Sequence, residues 1–406
     1  MKITPLAVTL LATLSSAQTT WYVDVHAAAP GLGTQVSPYA SIQYAHNQSA
    51  THNSDTILVA PGVYDERLTI TKRVTVRSSQ GPLSTAIKPT VTGTVVSLDG
   101  TIDQFANTVL DGFTIHAFGT AGYAVTTAQS GTMRNCIVIG NGHGTGAMTN
   151  YDFAIEHCLI TNNVIGMASA YINFIYPKHV IVVGNSNYDV DISNADFSKY
   201  CCYVTGYFNA TVGLVTSDPM LYDRPGHDFH LLAGSPCIDA GDPSAPLDPD
   251  GSRTEIGPLT YDAGYVPFAA YCTAKVNSVG CVPAISAAGT PSFTASTPFT
   301  ITCANELNNK LGLLFYGQTP LANQYQGGWL CVATPVKRTA VIDSAGNPGA
   351  DDCSGAYAFE FNSLIQGGLD PALVPGAVVY AQFWSRDPSS SYTTNRSDAL
   401  TFGIAP

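Results

Sequence analysis

The sequence predicts an all-β protein, a right-handed parallel β-helix (solenoid) followed by a smaller antiparallel β-sandwich domain. Three observations carry this. Short apolar segments recur about every 22 residues through the middle of the chain. Charged residues make up only 11% of 406, alongside Gly 37 and Pro 25, a mix that suits turn-rich β structure and disfavours long exposed helices. Beyond Tyr265 the recurrence stops and apolar residues alternate with polar ones instead.

The N-terminus reads as an export signal over residues 1–17. Lys2 supplies a positive start, Ile3 to Leu14 a mostly apolar stretch, and Ser15-Ser16-Ala17 the small residues of a cleavage site. The apolar run is too short to cross about 30 Å of hydrocarbon. A secreted chain, extracellular or at a cell surface, with no membrane span after processing, is the expectation. The formal net charge is −12 and no Lys/Arg-rich run is present, which argues against nucleic acid as a partner.

The next element, expected over residues 18–265, is the repeat. Leu110-Asp-Gly-Phe-Thr-Ile115, Met133-Arg-Asn-Cys-Ile-Val138 and Ile155-Glu-His-Cys-Leu-Ile160 align, with Phe113, Cys136 and Cys158 in one column and Val180 continuing it. Asn141, Asn163 and Asn185 form a second column, and Gly122, Gly146 and Gly166 a looser third. A period of this length, built of short β-branched runs broken by Asn and Gly, is one coil of a β solenoid. In such a fold like residues stack on like. An Asn column can link amide to amide at a turn, and the Phe, Cys and Val column fills a narrow core. Cys136 and Cys158 are expected as stacked, reduced, buried thiols.

Trp21-Tyr-Val-Asp24, Gly31-Leu-Gly-Thr34, Pro38-Tyr-Ala-Ser-Ile-Gln43 and Asp55-Thr-Ile-Leu-Val-Ala-Pro-Gly-Val-Tyr64 with Glu66 resemble the opening of secreted β-helix proteins of the pectin-lyase-like superfamily. The resemblance covers roughly residues 21 to 265. It implies a short helix capping the solenoid's open end, with Ser41 as N-cap and Ile42 and Ala45 facing the first coil. It also implies a first strand at Asp55 to Val59 and a first turn at Pro61-Gly62. It leaves activity open, because that superfamily holds lyases, hydrolases, epimerases and non-catalytic surface proteins. Asp228-Phe-His-Leu-Leu232, Gly234-Ser-Pro-Cys-Ile-Asp-Ala-Gly-Asp242 and Asp248-Pro-Asp-Gly-Ser-Arg253 resemble the closing segment of such proteins, with Glu255 where Asp is usual. That segment is expected to cap the last coil.

Residues 271–406 are expected to form the sandwich, from the alternating runs Phe299-Thr-Ile-Thr302, Gly312-Leu-Leu-Phe-Tyr316, Ala356-Tyr-Ala-Phe-Glu-Phe361 and Ala377-Val-Val-Tyr-Ala-Gln-Phe-Trp384. Turn signals at Asn308-Asn309, Gly327-Gly328 and Pro375-Gly376 separate them. This segment resembles a C-terminal module of exported bacterial surface proteins, a resemblance that implies no activity. Ten cysteines in an exported chain favour disulfides here, with Cys272–Cys281 and Cys331–Cys353 preferred because each closes a local loop.

Candidates for chemistry are sparse. Asn141-Gly-His-Gly144 invites comparison with β-helix glycosidases, but clustered aspartates and a basic motif are not found at matching offsets. His143 is therefore read as an ordinary turn residue. Tyr123, Asn150, Tyr151, Asp152, Tyr171 and Asn173 follow the glycine column and, with His143 as a further candidate, are expected to line a sugar groove, or else to be ordinary surface polarity and core tyrosine. Asp189 and Asp191 are two apart, so a strand is expected to place them on one face. Asp239, Asp242, Asp248, Asp250 and Glu255 are the densest acids, read either as calcium ligands or as side-chain to backbone turn bonds. The leading expectation is an extracellular protein that binds a polysaccharide or cell-surface glycan, or is structural, with no catalytic set assigned. The alternative is a polysaccharide lyase or glycoside hydrolase acting in a groove along the solenoid.

Overall fold

The computed structural model describes residues 18–99, 108–116, 122–127, 130–140, 143–147, 153–169, 175–191, 198–207 and 212–405. The expected export signal lies outside them. The first two-thirds form a parallel β-helix of three sheets, each with seven strands among the described residues. Thr20–Val23, Thr56–Val59, Thr75–Ser78, Thr108–Asp111, Gly131–Arg134, Phe153–Glu156 and Ile175–Lys178 make the first sheet. Leu68–Ile70, Val96–Leu98, Tyr123–Thr127, His143–Ala147, Ile165–Ser169, Tyr188–Asp191 and Gly206–Tyr207 make the second. Gly62–Tyr64, Thr85–Ile87, Thr114–His116, Ile137–Ile139, Leu159–Thr161, Ile181–Val183 and Cys202–Tyr203 make the third.

Register explains why the repeat folds this way. Leu110, Met133 and Ile155 are successive partners on the first sheet, and Val138, Ile160, Val182 and Tyr203 on the third. All of these point into one continuous apolar core. Phe113, Cys136, Cys158 and Val180 are fully buried in it, and the column runs on to Cys201. Burying each such side chain contributes roughly 1.5–3 kcal/mol. Both stacked thiols are free, and their Sγ atoms donate to Arg134 O and Glu156 O at 3.1 Å. In the Asn column, Asn163 donates its backbone N–H and side-chain amide to Asn185 Oδ1, both at 3.0 Å. Asn141 lies outside the described residues. The glycines do not stack. Gly146 pairs with Thr126 and Ala168, because turns of unequal length shift the coils relative to one another.

The opening differs from expectation by one strand. Thr20–Val23 precedes Thr56–Val59 and pairs with it, Trp21 beside Ile57, so Asp55 to Val59 is not the first strand. Asp55 ties the two, accepting N–H bonds from Thr19, the Trp21 indole and His52 at 2.9–3.0 Å. Helix α1 (Ile42–Asn47) closes this end, with Ser41 as N-cap and Ile42, Ala45 and His46 buried. Glu66 reaches across to accept from Ser41 Oγ and from the N–H groups of Ile42 and Gln43, satisfying donors that a helix start leaves free.

The third sheet is buried on both sides. Its outward residues Ile137, Ile139, Leu159, Ile181 and Val183 pack under Phe229, Leu231, Cys237 and Ile256. The closing segment therefore lies along the flank of the solenoid instead of capping its last coil. The uninterrupted apolar runs Ile137–Ile139 and Ile181–Val183 demand such a cover.

The C-terminal part is an antiparallel β-sandwich. One sheet runs Phe268–Tyr271, Thr394–Gly403, Val378–Arg386, Leu311–Gly317 and Lys337–Arg338, and the other Ala284–Ala288, Thr300–Glu306 and Gly355–Glu360. It takes in Phe268, three residues ahead of the expected start. Phe299, Ile301, Leu314, Tyr357, Phe383 and Phe402 fill the space between the sheets. The four expected cysteines are bridged with partners exchanged, as Cys272–Cys331 and Cys281–Cys353. The local pairs fail because the strand ending at Tyr271 runs beside the end of the chain, with the Tyr271 hydroxyl on Cys331 O at 2.6 Å. The two bodies touch where Thr290 Oγ1 donates to Asp223, His227 meets Thr294, and Lys88 sits 5.9 Å from the centroid of the Phe293 ring.

Candidate functional site

Solenoid register turns residues one period apart into neighbours. Arg77, Asp111, Arg134, Glu156 and Lys178 are consecutive partners at the strand ends of the first sheet, and a bridge adds Lys199. Coils lie about 4.8 Å apart, so this is a closely spaced row of charge. Asp111 is buried and fully engaged. It accepts from Arg134 Nε and Nη2 at 3.0 Å and from the Asn135 amide at 2.8 Å. Lys178 is paired with Asp242 at 2.9 Å. Among the described residues, the side chains of Arg77 and Glu156 have neither ion pair nor hydrogen bond. A groove of about 580 Å³ runs along the row, lined by Arg77, Asp111, Arg134, Asn135, Glu156 and His157. It offers a free guanidinium toward one end, a free carboxylate toward the other, and a clamped ion pair between.

From Asp111 onward, the residue after each charge makes the corner. Gly112, Asn135, His157, His179 and Tyr200 have φ of 83°, 52°, 47°, 56° and 53°. A non-glycine there costs about 1–2 kcal/mol, so each needs compensation. Asn135 obtains it from Asp111. His157 and His179 obtain it from each other and from the closing segment. The Asp242 N–H donates to His179 Nε2 at 2.7 Å, which fixes the His179 proton on Nδ1, where it donates to His157 Nε2 at 2.8 Å. Gly257 N–H adds a bond to His179 O. Both rings are held neutral. Burial lowers His157, and burial with the neighbouring His157 and Lys178 takes His179 down to about 4.

Beside this relay lie two carboxyl groups. Glu255 is buried and pushed up to about 8, first by burial and then by Asp248. Asp248 Oδ2 is buried with no donor. Two acceptors facing one another need a shared proton, so the pair holds one at neutral pH.

The acids considered for calcium are thus divided. Asp248 and Glu255 come together, Asp242 binds Lys178 and Ser244, Asp250 binds Ser252, and Asp239 is exposed. Among the described residues no three His, Cys, Asp or Glu side chains gather as a metal-holding group. Asp189 and Asp191 do not share an open face. Both lie in the strand Tyr188–Asp191, but Asp189 is buried and accepts from Asn185 and Thr205, whereas Asp191 is only partly buried. Of the sugar-groove candidates, Tyr123 and His143 are brought to adjacent coils as strand partners, and Tyr123 is half-buried. Asn150, Tyr151, Asp152, Tyr171 and Asn173 lie outside the described residues.

The charged row itself was missed in the sequence. Its signal was present, because Asp111, Arg134, Glu156 and Lys178 each stand two positions before Phe113, Cys136, Cys158 and Val180. The alternation of sign along the column, acid then base, hides it from a search for like residues one period apart.

No protein-family description matches the chain, and no curated protein resembles it in sequence. Among solved structures, the crystal structure of pectate lyase Pel9A is similar at 12% sequence identity and a TM-score of 0.29. The match covers 61% of this chain and 97% of that one.

Proposed function

We propose that this is an exported β-helix protein that binds a linear glycan along the charged row, without cleaving it. The observation that carries the reading is the pairing pattern in the groove. Asp111 is consumed by Arg134 and Asn135, which leaves the Arg77 guanidinium and the Glu156 carboxylate free, three coils apart. A guanidinium bonds a sugar carboxylate or vicinal hydroxyls through its fork, and a carboxylate accepts from hydroxyls. Arg77 and Arg134 stand two coils, or about 10 Å, apart, which suits a polymer lying along the solenoid. Although the whole chain is acidic, this row carries four cations against two acids in the strand register. The two disulfides fit an oxidising compartment.

Affinity electrophoresis through gels containing polyuronate or neutral glucan tests this. Retardation is expected, with Arg77→Ala and Glu156→Gln each weakening it about five- to tenfold and leaving the melting temperature unchanged. Equal mobility of wild type and both variants in every gel would overturn the reading. Release of unsaturated uronates or of new reducing ends would instead establish a lyase or a hydrolase.

A further inference from the structure

The larger sandwich sheet has two faces, and only one belongs to the core. Leu314, Tyr316, Ala381 and Phe383 point inward. Leu313, Phe315 and Trp384, at the alternate positions, point outward. The register places Phe315 beside Arg338, Leu313 beside Trp384 and Trp384 beside Arg396, giving an apolar row with a guanidinium at each end. The hairpin Pro320–Tyr325 and Gly328–Val332 folds over this face. Its two-residue turn, Gln326-Gly327, has φ of 49° and 71°, the pattern of a type I′ turn. Its far end is pinned by Gln382, which accepts from Cys331 N–H and donates to Trp329 O, both at 3.1 Å, and by the Cys272–Cys331 bridge. Between hairpin and sheet a cleft of about 640 Å³ remains. That lies within the range of about 300–1,000 Å³ typical of small-molecule sites.

The charge in this cleft is unbalanced. Arg396 is only 5% exposed. It donates to Tyr325 O at 3.2 Å and to Gln326 Oε1 at 2.9 Å, and it stacks on the Tyr325 ring at 4.7 Å. All of these partners are neutral, and no carboxylate lies within ion-pair distance among the described residues. Lys275 adds a second buried cation at the same end, its amine donating to Thr394 O and Ser390 Oγ. Asp387 is the acid whose charge reaches Lys275; its Oδ2 accepts from Ser278 N–H and its buried Oδ1 has no donor, so Lys275 has a counter-charge and Arg396 is left without one. A buried cation without a counter-charge is costly to hold. A floor of Leu313, Phe315, Leu330 and Val332 provides few of the polar partners that sugar hydroxyls need.

We infer that this cleft binds an amphipathic carboxylate, with its acid head against Arg396 and its unbranched apolar chain lying across Trp384, Leu313 and Phe315 toward Arg338. The site is in the other body of the chain and does not depend on the glycan reading.

Calorimetric titration of the full chain with decanoate, and separately with decanol, tests it. Saturable one-to-one binding of decanoate is expected, with decanol at least tenfold weaker, since a charge-assisted bidentate bond is lost. Arg396→Gln is expected to weaken decanoate at least tenfold and Arg338→Gln less than threefold. Leu313→Glu, on the cleft floor, provides an independent variant should Arg396→Gln loosen the hairpin, and it is expected to abolish binding. Absence of saturation, equal affinity for decanol, or decanoate binding that survives Leu313→Glu would each overturn the inference.

Discussion

Glu255 and Asp248 show how burial decides protonation one residue at a time. Glu255 binds a proton in the folded chain up to about pH 8, whereas an unfolded glutamate loses it near 4.3. Its contribution to stability is present in acid and is lost as pH rises through 8. The histidines work in the opposite direction. Burial, with Lys88 nearby, lowers His116 to about 3, and His179 and His227 stand at about 4. An unfolded histidine titrates near 6.5. The folded chain therefore binds fewer protons between about 4 and 6.5, and stability is lost as pH falls through that window, by up to about 1.4 kcal/mol per pH unit for each fully buried ring. A melting-temperature profile with both an acid limb and an alkaline limb is expected. Glu255→Gln, whose amide donates to Asp248 without titrating, should flatten the alkaline limb and raise stability at pH 8 by roughly 1–2 kcal/mol. An unchanged alkaline limb in that variant would exclude a shared proton. None of this was legible in the sequence. Asp248 and Glu255 were visible as part of an acidic stretch, but which two of the five acids would meet depends on how a Pro- and Gly-rich loop bends.

At the scale of elements, the columns were legible and the covers were not. Phe113, Cys136, Cys158 and Val180 declared an inward position because identical stacking requires similar residues at one spacing. The cover over the outward residues Ile137, Leu159 and Ile181 was not legible, because nothing local says that a segment more than forty residues onward from Ile181 lies on them. Helix α1 was foreseen down to its N-cap through the resemblance of the opening segment, and Ser41, Ile42 and Ala45 permit it locally. The role of Glu66 was not, because its three bonds reach back over 23–25 residues. Glu66→Ala removes all three and should destabilise the solenoid by about 1–3 kcal/mol. Urea unfolding followed by Trp21 fluorescence, with the other two tryptophans replaced, would measure this. A midpoint equal to that of the parent protein would show that the helix start is satisfied by solvent.

Across the whole molecule, the two bodies are stabilised by different means. The solenoid holds its stacked cysteines reduced, and both disulfides lie in the sandwich. Those bridges span 59 and 72 residues, and loops of that length are stabilised by about 4 kcal/mol each through the unfolded chain, less for the second because the loops interleave. Six thiols should react in denatured, unreduced protein. Reduction should lower the sandwich transition in calorimetry and leave the solenoid transition in place. A parallel fall of both would show that docking through Asp223, His227 and Lys88 couples the bodies into one cooperative unit.

The small helix at the open end has a further consequence. A stack of parallel coils is a one-dimensional lattice, and every coil presents to the next the same rows of unpaired N–H and C=O groups. Nothing within the repeat tells it where to stop. Helix α1, locked in place by Glu66, covers the core at the outermost coil and so terminates growth. Without residues 18–50 the first sheet would begin at Thr56–Val59 with a bare edge over an apolar core, a template for end-to-end joining of chains. The truncated chain should elongate into filaments at a rate that rises with concentration, seen by light scattering, while the full chain stays dispersed. The capping helix, whose Ile42 and Ala45 close the end of the core, is what gives this polymerisable architecture a finite length.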